Sequence, residues 1–186
     1  HVLPFGERKE FRSPHGHFAL TLLPAGHILG SAMVLVEWRG GSLLYTGDFR
    51  LRRSAACEPC DFERARGCDW LVMETTFGRP EYIFPPTDQV AAELLTFCRA
   101  TLAAGATPVL LGWTLGKAQE LLCLLADSGL PVQVPERVRS LARIYKQGGI
   151  RLANCRTLRP DAFRPGCVLV GPPNFPKSPE RAALGP

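Results

Sequence analysis

Leu23-Pro24-Ala25-Gly26-His27-Ile28-Leu29-Gly30-Ser31-Ala32 sets one histidine between two glycines, directly after one apolar run and directly before another. The flanking runs, residues 18–23 (FALTLL) and 32–38 (AMVLVEW), carry the large apolar and β-branched side chains of strands. Glycine lets the backbone turn tightly and approach a ligand closely. His27 is therefore expected to project from a rigid strand end, a good place for a metal ligand. Taken alone, a loop histidine bonded to a carbonyl reads equally well.

Working downstream, Arg39-Gly40-Gly41 is a turn signal and residues 42–45 (SLLY) form a third strand, so 32–38 and 42–45 should pair as a hairpin. That strand runs into Thr46-Gly47-Asp48-Phe49. A carboxylate at a strand end can bridge metal ions as a hard oxygen ligand, or merely start a turn. His27 opens the strand–turn–strand and Asp48 closes it, so both belong at one sheet edge. Residues 70–74 (WLVME) read as a further buried strand ending in Glu74. Three strands then deliver His27, Asp48 and Glu74 to one place, as an active site requires. A capping or salt-bridged acid is the other reading of Glu74.

The pattern changes near Pro85-Pro86. Thr87-Asp88 is expected to cap a helix over 89–102, with strands at 108–111, 131–134 and 167–170 and helices at 115–127 and 138–147. Residues 57–67 read as polar and irregular, with room for a short helix. The fold class is α/β, a β-rich unit followed by alternating helix and strand. The expected division is 1–85, 86–171 and a loop or tail over 172–186, where Pro, Gly and charge dominate.

The chain has 186 residues, 46% hydrophobic and 21% charged, and no apolar run of bilayer length. The formal charge of +5 suits a polyanion, although many soluble proteins carry as much. The basic residues read as spread out, with Arg50-Leu51-Arg52-Arg53 the exception. Seven cysteines in a chain of this size point to reduced thiols. Cys57-Glu58-Pro59-Cys60 is a CxxC with no second pair, so ordinary loop thiols are favoured over a structural zinc.

PAGHILGSA (24–32), YTGDF (45–49) and METTFG (73–78), in this order, resemble consecutive motifs of the metallo-β-lactamase superfamily, and more narrowly its nucleic-acid-processing β-CASP branch. Within that branch the pattern looks most like the bacterial ligase-associated DNA exonucleases. CDWLVMETTFGRPEY (68–82), GWTLGKAQ (112–119) and the strand before Gly171-Pro172-Pro173 fit it in sequence. The resemblance implies a partial αββα sandwich carrying an inserted β-CASP-like α/β domain. It implies two divalent ions, zinc or alternatively manganese. His27 would bind one of them, the catalytic Asp48 would bridge both, and Glu74 would orient a later histidine. It also implies a DNA or RNA substrate, a DNA ligase as a partner, no membrane association, and a cytoplasmic or, in a eukaryote, nuclear location.

Arg50, Arg52 and Arg53 directly follow Asp48 and are candidates to guide a phosphate backbone. Lys117 in Gly116-Lys117-Ala118-Gln119 is a second candidate, at a helix start. Ala118 rules out a full phosphate-loop motif, which needs Ser or Thr there. For the arginines and for Lys117, a solvated basic side chain is the competing reading.

The chain departs from the family at one diagnostic point. The HxHxDH motif is absent, His15-Gly16-His17 lacks the following Asp-His, and no histidine follows His27. Two explanations stand: an internal fragment of a complete enzyme, or a degenerate relative that keeps the fold. With two direct ligands the isolated chain is expected to bind metal weakly and to be inactive. A metal-dependent DNA exonuclease of repair or ligation is the first functional expectation. An RNA-processing β-CASP nuclease and a catalytically dead nucleic-acid-binding scaffold are the alternatives.

Overall fold

The computed structural model describes residues 2–159, 161 and 163–182. The chain divides into two units, His1–Tyr82 and Ile83–Pro186.

The first unit is a five-stranded sheet in the order β1-β2-β3-β4-β5. Its strands are β1 (Arg8–Ser13), β2 (Gly16–Pro24), β3 (Ala32–Trp38), β4 (Gly41–Tyr45) and β5 (Trp70–Val72). The expected hairpin forms, with Val34 opposite Tyr45 and Trp38 opposite Gly41. Strand alternation sends Ala19, Thr21, Leu23, Met33 and Leu44 to one face, where all are buried. Phe49, Cys60, Ala65 and Cys68, from the chain between β4 and β5, pack on that face. The opposite face is apolar too. It carries half-buried Leu20, Leu22, Val34, Val36 and Leu43, with Tyr45, Trp70 and Val72 about half exposed.

Two expectations need correcting here. Residues 70–74 are not a buried strand. β5 stops at Val72, and Trp70, Leu71 and Val72 are 51%, 54% and 49% exposed. The reason is position: β5 lies at the sheet edge, with a parallel partner, β4, on one side. The second omission is β1. Its sequence RKEFRS is mostly charged, which hides a strand that pairs along its whole length with β2. Such charge is a common guard on an edge strand.

The second unit holds a four-stranded parallel sheet in the order β6-β9-β7-β8. The strands are β6 (Val109–Leu111), β7 (Val132–Val134), β8 (Cys155–Thr157) and β9 (Val168–Gly171). The inner strands β7 and β9 are buried throughout, as parallel strands under helices must be. The helices are α1 (Thr87–Ala103), α2 (Lys117–Leu124), α3 (Glu136–Gln147) and α4 (Pro179–Ala182). The expected Thr87-Asp88 cap is not formed. Pro86 takes the cap position and Thr87 is already helical. β8 was not legible because Cys-Arg-Thr has no apolar run. In the stretch expected as loop or tail, Phe175 is 2% exposed and packs with Leu158, Cys167 and Leu169. Among the described residues no helix is long and apolar enough to cross a membrane.

Candidate metal-binding edge

His27 lies in the β2–β3 connection, and Asp48 three residues beyond β4. The hairpin brings them together, with His27 Nε2 4.0 Å from Asp48 Oδ2. Both side chains reach solvent, at 45% and 74% exposure. Glu74 joins the same edge through the backbone on either side of Asp48. Thr46 N–H donates to the Val72 carbonyl at 3.0 Å, and Phe49 N–H to Glu74 Oε1 at 3.4 Å. Thr76 N–H donates to Glu74 Oε2 at 2.9 Å. The Thr76 hydroxyl and amide, the Phe49 amide and the nearby His27 together hold the Glu74 carboxyl below its ordinary range. The sequence reading that three strand ends converge is thus matched in position, with Glu74 two residues past its strand.

The loop carrying His27 is held from two sides. Ser31 Oγ accepts from the amides of His27 and Ile28, both at 3.2 Å, and the Ala25 amide donates to the Ser31 carbonyl at 2.9 Å. Residues 57–61 clamp the same loop from a distance in sequence. The Cys57 thiol donates to the Gly26 carbonyl at 3.2 Å, Gly30 N–H donates to Glu58 Oε2 at 3.2 Å, and Asp61 N–H donates to the Pro24 carbonyl at 3.0 Å. Arg50 N–H adds a bond to the Ala25 carbonyl at 2.9 Å. The CxxC is therefore part of a scaffold for His27. All seven cysteines are free thiols, and burial, reinforced by Asp61, pushes the Cys60 thiol above its usual range. Sequence reasoning missed Ser31, Cys57 and Glu58 as positioning residues. A Ser ending a Gly-x-x-x-Gly loop was a faint signal, while the clamp spans about thirty residues and left none.

The basic candidates are distributed differently. Arg50 is half-buried, and Arg52 and Arg53 are exposed in the chain leaving Asp48. Lys117 lies in the second unit, with its ammonium on the Glu120 carboxylate. The amides at that helix start are engaged. Gly116 N–H donates to Gln119 Oε1 at 2.8 Å, Lys117 N–H to the Leu115 carbonyl at 3.1 Å, and Ala118 N–H to the Trp113 carbonyl at 2.9 Å. A phosphate there would meet Lys117 without the amide cradle that makes helix starts good anion sites. The buried Gln119, which also donates to the Thr114 carbonyl at 3.1 Å, explains why α2 begins two residues later than expected.

His15 and His17 sit exposed at the β1–β2 turn, with His17 opposite Arg12 in register. Among the described residues, no three His, Cys, Asp or Glu side chains are grouped to hold a metal ion. His27 and Asp48 are a nitrogen and an oxygen donor of the kinds zinc accepts, but two are fewer than the three protein ligands of an open catalytic site.

No protein-family profile matches the chain. Individual proteins do. It is 48% identical over 179 residues to a protein of Opitutus terrae named probable DNA ligase, which is 96% of this chain and 17% of that protein. It is 33% identical over 128 residues to the endoribonuclease ysh1 of Emericella nidulans, covering 68% of this chain and 14% of the enzyme. It is 34% identical over 148 residues to the transcription termination factor FttA of Methanothermobacter thermautotrophicus, covering 76% and 22%. The chain thus spans less than a quarter of the length of each of these relatives.

Proposed function

We propose that this chain belongs to a metal-dependent nucleic-acid phosphodiester hydrolase of the metallo-β-lactamase superfamily, β-CASP branch, acting on DNA ends. The observation that carries the reading is the meeting of His27 and Asp48 at one sheet edge, with Glu74 tied to the backbone beside them. The apolar outer face of the first sheet supports the sandwich architecture, since such a face needs a second layer. Relatives named for nuclease activity support the nucleic-acid substrate.

His27 and Asp48 would hold the metal ions together with donors from outside residues 1–186. When bound, such ions supply a hydroxide nucleophile and stabilise charge at phosphorus. The chain's own contribution is orientation. Ser31, Cys57 and Glu58 fix the His27 loop, and Glu74 fixes the backbone that carries Asp48. Supporting contacts of this kind are worth about 10–100-fold in metal affinity or activity. Arg50, Arg52 and Arg53 would draw the phosphate backbone to the edge.

DNA is preferred to RNA because the similarity to the Opitutus protein is higher and covers nearly the whole chain, 48% against 28–34% for the relatives with RNA- or transcription-related names. A link to strand ligation rests on that protein's name. The test is to incubate end-labelled DNA and RNA of one sequence with the product of the whole gene and added zinc or manganese. The account predicts metal-dependent shortening of DNA from its ends, blocked by chelation. Internal cleavage of RNA alone establishes the RNA-processing reading, and no cleavage of either supports a catalytically dead scaffold.

A further inference from the structure

The positive charge of the chain is concentrated. Residues 131–164 hold eight of the 22 Lys and Arg but two of the 17 Asp and Glu, leaving 14 against 15 for the remainder. The whole excess therefore lies in the stretch that forms β7, α3, β8 and the chain just after. This corrects the reading that the basic residues are dispersed. They form no unbroken run in sequence, and α3 sets three of them, Arg139, Arg143 and Lys146, on one side.

α3 makes a surface of that excess. Its inner side, Val138, Ala142 and Tyr145, is buried. Arg139, Arg143 and Lys146 stand at i, i+4 and i+7, on one side of the helix and about 10 Å from first to last. Two hydrogen bonds place this side along β8. Arg139 Nη1 donates to Thr157 Oγ1 at 3.0 Å, and Lys146 Nζ to Asn154 Oδ1 at 3.0 Å. All three cations also act on the Cys155 thiol, offsetting part of the rise that burial causes. One carboxylate, Glu136, opposes them at 3.5 Å from Arg143, and it is already held by the hydroxyls of Thr157 at 2.7 Å and Ser140 at 3.2 Å. Arg143 remains 58% exposed.

We propose that the α3–β8 strip of Arg139, Arg143 and Lys146 is a docking surface for the sugar-phosphate backbone of a nucleic-acid strand, distinct from the His27–Asp48 edge. It rests on nucleic acid being the partner, and adds where in the second unit the strand is held. A row of cations along one helix side matches the repeating charge of a strand, and the arginine fork suits phosphate oxygens. Ser140, Asn154 and Thr157 border the strip. Ile144, 56% exposed beside Arg143, is the large apolar side chain that α3 exposes, well short of the broad apolar face by which interfacial helices insert into lipid.

The test is equilibrium binding of a fluorescein-labelled oligothymidylate to the 186-residue chain in EDTA, over about 50–200 mM salt. Arg139→Gln/Arg143→Gln/Lys146→Gln should lower affinity at least tenfold at low salt. The slope of log K against log salt should shrink by about 2, from three phosphate contacts at roughly 0.7 each. Arg139→Lys/Arg143→Lys keeps the charge and should keep the slope, separating charge loss from misfolding. Lys9→Gln/Arg12→Gln/Arg66→Gln, which removes the same charge from the first unit, should leave most of the binding intact. An unchanged slope in the strip variant, an equal loss in the first-unit variant, or tighter binding to phosphatidylserine vesicles than to the oligonucleotide overturns the proposal. Chelation removes metal chemistry from this assay, so a chain that binds through the strip while its gene product cuts nothing refutes the hydrolase reading and not this one.

Discussion

Asp48→Ala is expected to lower metal-dependent hydrolysis by the whole-gene product on the order of 10³-fold, about 4 kcal/mol of transition-state stabilisation, with the fold unchanged. The two halves of that expectation come from the same geometry. The carboxylate is 74% exposed, and among the described residues it meets His27 at 4.0 Å. A group so placed contributes little to folding, and surface substitutions of this kind usually fall within about 0.5 kcal/mol. Its position beyond β4, between the Thr46–Val72 and Phe49–Glu74 bonds, holds its backbone fixed while leaving its oxygens free for a ligand. Initial rates on end-labelled DNA, with thermal melts of wild type and variant side by side, check both halves. A variant that melts as wild type and cuts as wild type removes Asp48 from the chemistry.

Gly26→Ala should have the largest effect on stability. Gly26 has φ +72°, and a Cβ there would lie 2.4 Å from the Arg50 carbonyl oxygen and 2.9 Å from the Cys60 amide nitrogen. Both are backbone atoms and cannot swing aside. Left-handed strain of about 1–2 kcal/mol for an L-residue adds to a packing clash of about 1–3 kcal/mol. A loss of roughly 2–5 kcal/mol corresponds to lowering the melting of an 82-residue unit by about 10 °C or more. Gly30→Ala is the internal control. Its φ is +77° but nothing lies within 4 Å of the added carbon, so only the backbone strain applies. The first unit should therefore melt markedly lower in Gly26→Ala than in Gly30→Ala. Equal melting in the two would mean that the 50–61 chain does not clamp this loop.

The His27–Asp48 pair was legible because a tight hairpin fixes register, and glycine-flanked polar residues at its two ends must then share an edge. The resemblance of those motifs to a nuclease superfamily added roles that spacing alone does not give. Glu74 was legible in place but not in setting. WLVM reads as a buried strand, and only the topology shows it at an edge with its side chains half exposed. The clamp from Cys57, Glu58 and Asp61 left no trace in a single sequence, because side-chain bonds across about thirty residues follow no periodicity. β1 and β8 were missed for a related reason: each is short and polar and exists by pairing with a strong neighbour. The charge of 131–164 could have been counted from sequence, yet only the helical repeat of α3 shows that three of its cations face one way.

Whether His27 and Asp48 together hold a metal ion can be tested on this chain directly. Zinc titrated into the 186-residue protein would be followed at the imidazole resonances of its four histidines by NMR. The account predicts that His27 shifts at zinc levels that reflect weak, two-donor binding, and that Asp48→Ala abolishes the shift. If zinc moves His1, His15 or His17 while His27 stays still, or if His27 responds equally in the variant, the edge is not a metal site.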